Sequence, residues 1–268
     1  LYYSDYHVHT HFSDDCSEKM HDMIKSAVSL GLKEIAFTDH VDFDYPDPEW
    51  PFVIDYEKYY EEFKMLKYEY SSSINVLLGI EVGLQPHIKQ EISALISSYP
   101  FDFVIGSVHA ADRMDFCRHA FFKNKSQHEC YMRYFENVLE NIRLYKGMFD
   151  VLGHMDLIVR YGGYESKNLE YEMFSDIIDQ ILRLLISNGQ GIEINTSGFR
   201  YGLGRVHPHP SIIKRYSQLG GKIITVGSDA HKKEDICADF ESTYTMLKDL
   251  GLTSICSFKS RKHSFIEI

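Results

Sequence analysis

The strongest constraint on how this chain folds is a rhythm. Seven short apolar runs alternate with seven longer stretches of helical period. The runs are "YHVHT", "EIAFTDH", "NVLLGIEVG", "DFVIGSVH", "DVLGHMD", "GIEINTSG" and "KIITVGSDAH". The helical stretches fall near 18–31, 55–70, 87–98, 127–145, 171–188, 210–219 and 234–250. Strand then helix, repeated, describes parallel βα units. Runs as continuously apolar as "INVLLGI", "FVIG" and "KIITVG" are what strands covered on both faces require. The economical architecture is an α/β barrel of parallel strands, closed or nearly so, with a doubly wound open sheet as the alternative. With 268 residues and 44% hydrophobic composition the chain can bury one large core, so residues 1–268 are expected to form a single domain. The loops at 41–54 and 110–126 are long for βα connections and read as lids over one face. The tail "CSFKSRKHSFIEI" is expected to add a final strand, and the stripe "YEKYYEEFKMLKYEY" reads as a core or subunit face.

Charge and cysteine usage narrow the function. The formal net charge is -11, and no Lys/Arg run is present to track a phosphate backbone, so nucleic acid is not expected as a partner. A small anionic substrate stays open, because a few local cations override net charge. Cys16, Cys117, Cys130, Cys237 and Cys256 are odd in number and form no CxxC pair, which reads as free thiols in a reducing compartment. With no apolar run near membrane-spanning length and no leader-like pattern, the expected location is the cytoplasm, and no membrane partner is expected. The oligomeric state is not legible.

The chain has 14 histidines, and their positions are not scattered. His7 and His9 close the first strand, His40 the second, Glu81 the third, His109 the fourth, His154 the fifth, and Asp229 with His231 the seventh. In a barrel of parallel strands those ends converge on one face, where active sites are built. A lone "HVH" or "TDH" is commonly a hydrogen-bonded strand end. Polar residues ending so many strands at one register are not explained by packing, since burying each unpaired costs about 1–3 kcal/mol. Imidazoles and carboxylates together are the donor set of a divalent metal centre for Zn, Mn or Fe. These ligands exceed the needs of one ion. Two or three ions, bridged by Glu81 or by hydroxide, would use them. His11, His21, His87, His119, His128, His207, His209 and His263 fall off this register and read as surface or loop residues, with His11 held open.

These motifs in this order, "HVHTHFSDD", "FTDH", "GIEVG", "GSVH", "GHMD" and "GSDAH", resemble the PHP superfamily of metal-dependent phosphoesterases, and they span residues 7–231. The resemblance implies a distorted (βα)7 barrel and a trinuclear centre at the C-terminal ends of its strands. Carried onto this chain, it assigns His7, His9, Glu81 and Asp229 to one ion. An aspartate of the "SDD" turn with His40 and His231 would take a second, and Glu81, His109 and His154 the third. Asp14 is favoured over Asp15 by its match to the usual Ser-Asp-Gly turn, although Asp15 stands where that turn has glycine. The stretches "MDLIVRYG" and "EINTSGFRYGLG" look most like the histidinol-phosphate phosphatases of the superfamily, which implies hydrolysis of L-histidinol phosphate in histidine biosynthesis.

A phosphate dianion resists hydroxide attack until its charge is neutralised, which metal ions and guanidinium groups achieve. Arg160, just beyond the fifth strand, and Arg200, just beyond the sixth, are placed to hold phosphate oxygens, with Arg205 in reserve. A metal-bridging hydroxide would attack in line, and Asp229 or His231 would return a proton to the leaving alkoxide. Asp42, Phe43 and Glu165 are the candidates to meet the substrate's amine and imidazole. The main alternative is a PHP phosphoesterase acting on another small phosphate ester or nucleotide. An amidohydrolase, which also opens with HxH, lacks support without a strand-end lysine. A non-catalytic metal protein would not need arginines beside a water-accessible site.

Overall fold

The computed structural model describes residues 4–268. Its elements run β1 (Ser4–Val8), α1 (Met20–Ser29), β2 (Glu34–Phe37), β3 (His40–Val41), α2 (Tyr56–Glu69), β4 (Asn75–Gly83), α3 (Lys89–Ser98), β5 (Phe103–Ser107), β6 (Ala110–Ala111), β7 (Met114–Asp115) and α4 (Gln127–Leu144). They continue with β8 (Val151–Leu152), α5 (Tyr171–Asn188), β9 (Gly191–Asn195), α6 (Ser197–Arg200), α7 (Pro210–Gln218), β10 (Ile224–Gly227), α8 (Phe240–Asp249), β11 (Ser254–Lys259) and β12 (Lys262–Glu267).

The main sheet is parallel throughout, in the order β1-β2-β4-β5-β8-β9-β10. Its two ends meet: Val8 bridges Ala230, the His9 amide donates to the Ala230 carbonyl at 3.0 Å, and the Ala230 amide donates to the His7 carbonyl at 3.3 Å. That contact makes the sheet a nearly closed (βα)7 barrel and removes the open-sheet alternative. The second run, "EIAFTDH", is split. β2 pairs with the lower half of β4 from Glu34 opposite Asn75, and β3 pairs with the upper half at His40 opposite Glu81. Between them Asp39 turns its buried carboxylate into the loop after β1, accepting from the Thr10 amide at 2.6 Å and the Ser13 hydroxyl at 2.8 Å.

The helices form where period and capping agree. α4 opens on a capping box in which the Ser126 hydroxyl accepts from the Glu129 amide and the Glu129 carboxylate accepts from the Ser126 amide. α5 buries Phe174, Ile178, Ile181, Leu182 and Leu185 along one stripe and stops at Gly189, whose φ of 70° suits a residue without a side chain. α2 uses Tyr59, Phe63 and Leu66 as its core face, and leaves Met65 and Tyr68 exposed.

The tail, expected to add a final strand, adds two. β11 and β12 form an antiparallel hairpin of their own rather than another barrel strand. Phe258 enters the lower barrel interior beside Tyr6 and Phe103, and the Phe258 amide donates to the Tyr6 hydroxyl at 2.8 Å. Closure by β1 and β10 leaves the tail no edge in the main sheet, so it plugs the N-terminal end of the barrel instead. Among the described residues no helix is long and apolar enough to cross a membrane.

Candidate metal centre

At the other end of the barrel, the predicted strand-end residues converge around one fully buried carboxylate. Glu81, inside β4, directs its two oxygens at two different groups. Oε1 lies 2.6 Å from the Ser107 hydroxyl, 2.9 Å from His154 Nε2 and 3.2 Å from His109 Nε2. Oε2 lies 3.1 Å from His7 Nε2, 3.0 Å from His40 Nδ1 and 3.6 Å from His9 Nε2. Across the cluster, Asp229 Oδ1 stands 3.4 Å from His9 Nε2, 3.8 Å from His7 Nε2 and 3.6 Å from His231 Nδ1. The His9 ring stacks between those of His40 and His231, each 4.2 Å away. This packing follows from the barrel itself, since residues two places apart at a strand end face the same side.

The donor set fits divalent ions on an observation independent of any resemblance. His9 Nε2 and His40 Nδ1 are buried without a hydrogen bond, although carboxylate oxygens lie near them off the bonding direction. Such orphaned buried nitrogens are costly, and a divalent cation set among them would satisfy them. Four sets of donors each lie within 4.8 Å of one another: His9 with His40 and His231; His7 with His9 and Asp229; His7 with Glu81 and His154; and His40 with Asp42 and His109.

The electrostatics say the same. Burial would raise the pKa of Glu81 and Asp229, but the imidazoles around them hold both well below the usual carboxylate range. Burial would lower His7, yet Glu193, Glu81 and Asp229 raise it well above a free histidine. His40 is likewise pushed up to about 9 by Asp15 and Glu81 against its burial. His9 goes the other way, held well below by burial and by His231 and His40. The cluster thus balances its carboxylates with protons on some imidazoles, the charge that divalent ions would replace.

Several expectations are corrected. Asp14 does not enter the cluster: its carboxylate accepts from the Phe52 amide at 2.6 Å, anchoring the 41–54 loop. Asp15 takes the position instead, 3.2 Å from His231 Nε2 and 3.6 Å from His40 Nε2. Consecutive residues of the turn point in different directions, and the 41–54 loop claims the first. Arg200 also turns away from the cavity. It donates to the carbonyls of Ser228 and Asp229 at 2.9 and 2.8 Å, bracing the loop in which Asp229 adopts a φ of 55°. Arg205 pairs with Asp156 at 2.9 Å. His207, read as a surface or loop residue, is completely buried. His11 lies outside the cluster, 3.6 Å from Glu62. Asp42 is buried against His109 Nδ1 at 2.9 Å, and neither it, Phe43 nor Glu165 lines the cavity.

Arg160 does enter. Its guanidinium is mostly buried, lies 4.2 Å from the Tyr201 ring centre, donates to Ser197 Oγ, and approaches Asp229 Oδ2 at 3.5 Å. It shares a cavity of about 340 Å³ with Asp15, His40, His109, His154, Asp229 and His231. Tyr45 and Phe52 from the 41–54 loop and Phe116 and Cys117 from the 110–126 loop line the same cavity.

One residue that holds the site was missed, Glu193, and another, Asp42, was given a different part. Glu193 Oε1 is 2.5 Å from His7 Nδ1, while Oε2 accepts from the His154 amide at 2.8 Å. It fixes which nitrogen His7 turns to Glu81. Asp42 does the same for His109, and Gly83 is required beside it, since a Cβ there would lie 1.8 Å from Asp42 Oδ1. The signal for Glu193 was present: a charged residue inside the otherwise apolar run "GIEIN" must be paired when buried.

Comparison with known proteins agrees with this geometry. The model of the PHP domain family matches residues 5–197. A probable histidinol-phosphatase of Clostridium acetobutylicum is 35% identical over 94% of this chain and 95% of its own length. The histidinol-phosphatase of Lactococcus lactis is 31% identical over 96% of this chain and 95% of its own. The crystal structure of histidinol phosphate phosphatase from Lactococcus lactis, complexed with Zn, L-histidinol and phosphate, superposes with a TM-score of 0.90, covering 97% of this chain and 98% of that one. With its strand-end donors, its nearly closed barrel and these full-length likenesses, the chain belongs to the PHP domain family, as a relative of its histidinol-phosphatases.

Proposed function

We propose that this enzyme hydrolyses L-histidinol phosphate to L-histidinol and inorganic phosphate, with residues 4–268 working as one unit around a centre of two or three divalent ions. The observation that carries this reading is one cavity holding both the Glu81–Asp229 cluster of metal donors and the Arg160 guanidinium. The relative that crystallised with Zn, L-histidinol and phosphate supports the substrate. His7, His9, Glu81 and Asp229 would hold one ion, Asp15, His40 and His231 a second, and Glu81, His109 and His154 a third. When bound, such ions neutralise phosphoryl oxygens and acidify water to supply the attacking oxygen.

The residues of the chain do the rest. Arg160 offers a planar fork to the phosphate oxygens, and its mostly buried position strengthens that contact. The water gives up a proton as its oxygen bonds to phosphorus and the ester P–O bond breaks, and that proton is passed on to the leaving alkoxide of histidinol. Asp229 and His231 line the cavity and are the proposed carriers of that proton. Tyr45, Phe52, Phe116 and Tyr161 shield the cavity from bulk water. The formal charge of -11 and a sequence without a Lys/Arg run fit a small ester rather than nucleic acid, and free cysteines fit the cytoplasm.

Turnover on a panel of phosphate monoesters tests the substrate. Histidinol phosphate is expected to exceed sugar phosphates and nucleotides in kcat/KM by at least about tenfold, and a preferred nucleotide or sugar phosphate would overturn the assignment. Arg160→Ala is expected to lower kcat/KM about ten- to a hundredfold and to weaken inhibition by inorganic phosphate in parallel, while Arg160→Lys recovers only part. Unchanged phosphate inhibition in Arg160→Ala would remove Arg160 from the substrate site.

A further inference from the structure

Behind Arg160 lies a buried chain of polar groups that metal binding does not use. The imidazole of His207 is completely buried, its Nδ1 bonded to Asp156 Oδ1 and its Nε2 2.9 Å from Arg160 Nε. Asp156 is also completely buried, and its other oxygen accepts from Arg205 Nη1 at 2.9 Å and from the His209 amide at 3.1 Å. The His207 amide and carbonyl exchange hydrogen bonds with Asn195, at the end of β9, which sets the ring against the barrel rim. A guanidinium Nε–H can only donate. His207 Nε2 must therefore accept, the ring's proton must sit on Nδ1, and the Asp156 carboxylate is the group that keeps it there. Burial and the adjacent Arg160 agree, holding the His207 pKa at about 4 despite Asp156, so the ring is neutral at physiological pH.

We propose that Asp156 and His207 form a positioning dyad for Arg160: the carboxylate selects the imidazole tautomer, and the imidazole fixes the rotation of the guanidinium. Ser197 Oγ and the Tyr201 ring hold the remaining sides of that guanidinium. Among the described residues nothing bonds Arg160 Nη1, and the held fork presents that edge to the substrate's phosphate. The dyad rests on the reading of Arg160 as a phosphate ligand, and it adds the reason this arginine arrives with its side-chain freedom already removed.

The test is a double-mutant cycle on the metal-loaded enzyme, read as the inhibition constant for inorganic phosphate. His207→Leu removes the acceptor and is expected to raise that constant about tenfold, with metal content unchanged. His207→Gln, which retains an acceptor, is expected to stay within about threefold of the parent. In an Arg160→Ala background, His207→Leu is expected to add nothing further, because its effect runs through Arg160. If Arg160→Ala weakens phosphate inhibition while His207→Leu leaves it intact, or if the two effects multiply, the dyad is overturned and the phosphate role of Arg160 stands. If Arg160→Ala has no effect, that role itself fails. Should His207→Leu not fold, ¹⁵N shifts of the His207 ring in the parent enzyme decide the matter. A proton on Nδ1 supports the dyad, and one on Nε2 overturns it.

Discussion

At the N-terminal end of the barrel, Arg261 donates to Asp150 at 2.5 Å, the Ser260 amide donates to Asp102 at 3.0 Å, and Glu34 accepts from Asn75, Ser257 and Tyr6. At the C-terminal end, Glu81, Asp229 and six imidazoles crowd together, and nitrogens of His9 and His40 lack hydrogen bonds. Both ends bury charge. The floor pairs each of these carboxylates with donors from the chain and closes on the tail hairpin. The rim leaves nitrogen donors without a hydrogen-bond partner, grouped with carboxylates at the spacing a cation would use. The difference separates charge kept for stability from charge kept for chemistry, and it can be seen without any relative in hand.

The sharpest way to break the comparison is to remove the carboxylate on which the rim is built. Glu81→Ala is expected to lose more than one ion per chain and more than about a hundredfold in activity, whereas His154→Ala is expected to lose about one ion. Elemental analysis checks both. Equal losses, or a parent protein with a single ion, would mean that the two oxygens of Glu81 do not serve separate ions.

The turn after β1 gives the next largest contrast. Asp15→Asn is expected to lower activity about ten- to a hundredfold, and Asp14→Asn no more than about threefold, since Asp14 only ties the 41–54 loop through Phe52. Steady-state rates at fixed metal concentration decide it. The reverse order would return Asp14 to the cluster.

A smaller effect is expected with pH. His40 is pushed up to about 9, and His7 and His109 lie well above the usual histidine value, so the metal-free protein carries protons there at neutral pH. An entering ion must displace them. Metal uptake is expected to release protons into a weakly buffered solution, and apparent affinity to fall as pH drops from 9 toward 6. The same sign governs the metal-free fold: stability from these raised groups is present below the unfolded value and is lost as pH rises through about 9 for His40. Affinity independent of pH would show that the imidazoles are already neutral.

The floor is expected to respond in stability alone. Arg261→Ala leaves the buried Asp150 without its cation and is expected to cost about 1–3 kcal/mol in chemical denaturation, with metal content and kcat unchanged. Loss of metal in that variant would mean that the two ends are coupled, and the comparison would fail.

Much of this site was legible along the chain because strand ends are a local property. In a parallel barrel, a residue placed at the C-terminal end of a strand is also placed on the functional face, so His7, His9, His40, Glu81, His109, His154, Asp229 and His231 converge as their register requires. The helices were equally legible, since apolar period, the Ser126 and Glu129 cap and the Gly189 stop all act within a few residues. What the tertiary structure alone decided depends on neighbours distant in sequence. Asp15 rather than Asp14 faces the cluster because the 41–54 loop at Phe52 takes the first carboxylate. Arg160 rather than Arg200 reaches the cavity because the carbonyls of Ser228 and Asp229 hold the second arginine. Glu193 matters because the barrel closes it onto His7, far away along the chain. Position along an element is written in local pattern, but the choice among chemically equal side chains is made by competing hydrogen-bond partners, and these exist only once the barrel has closed.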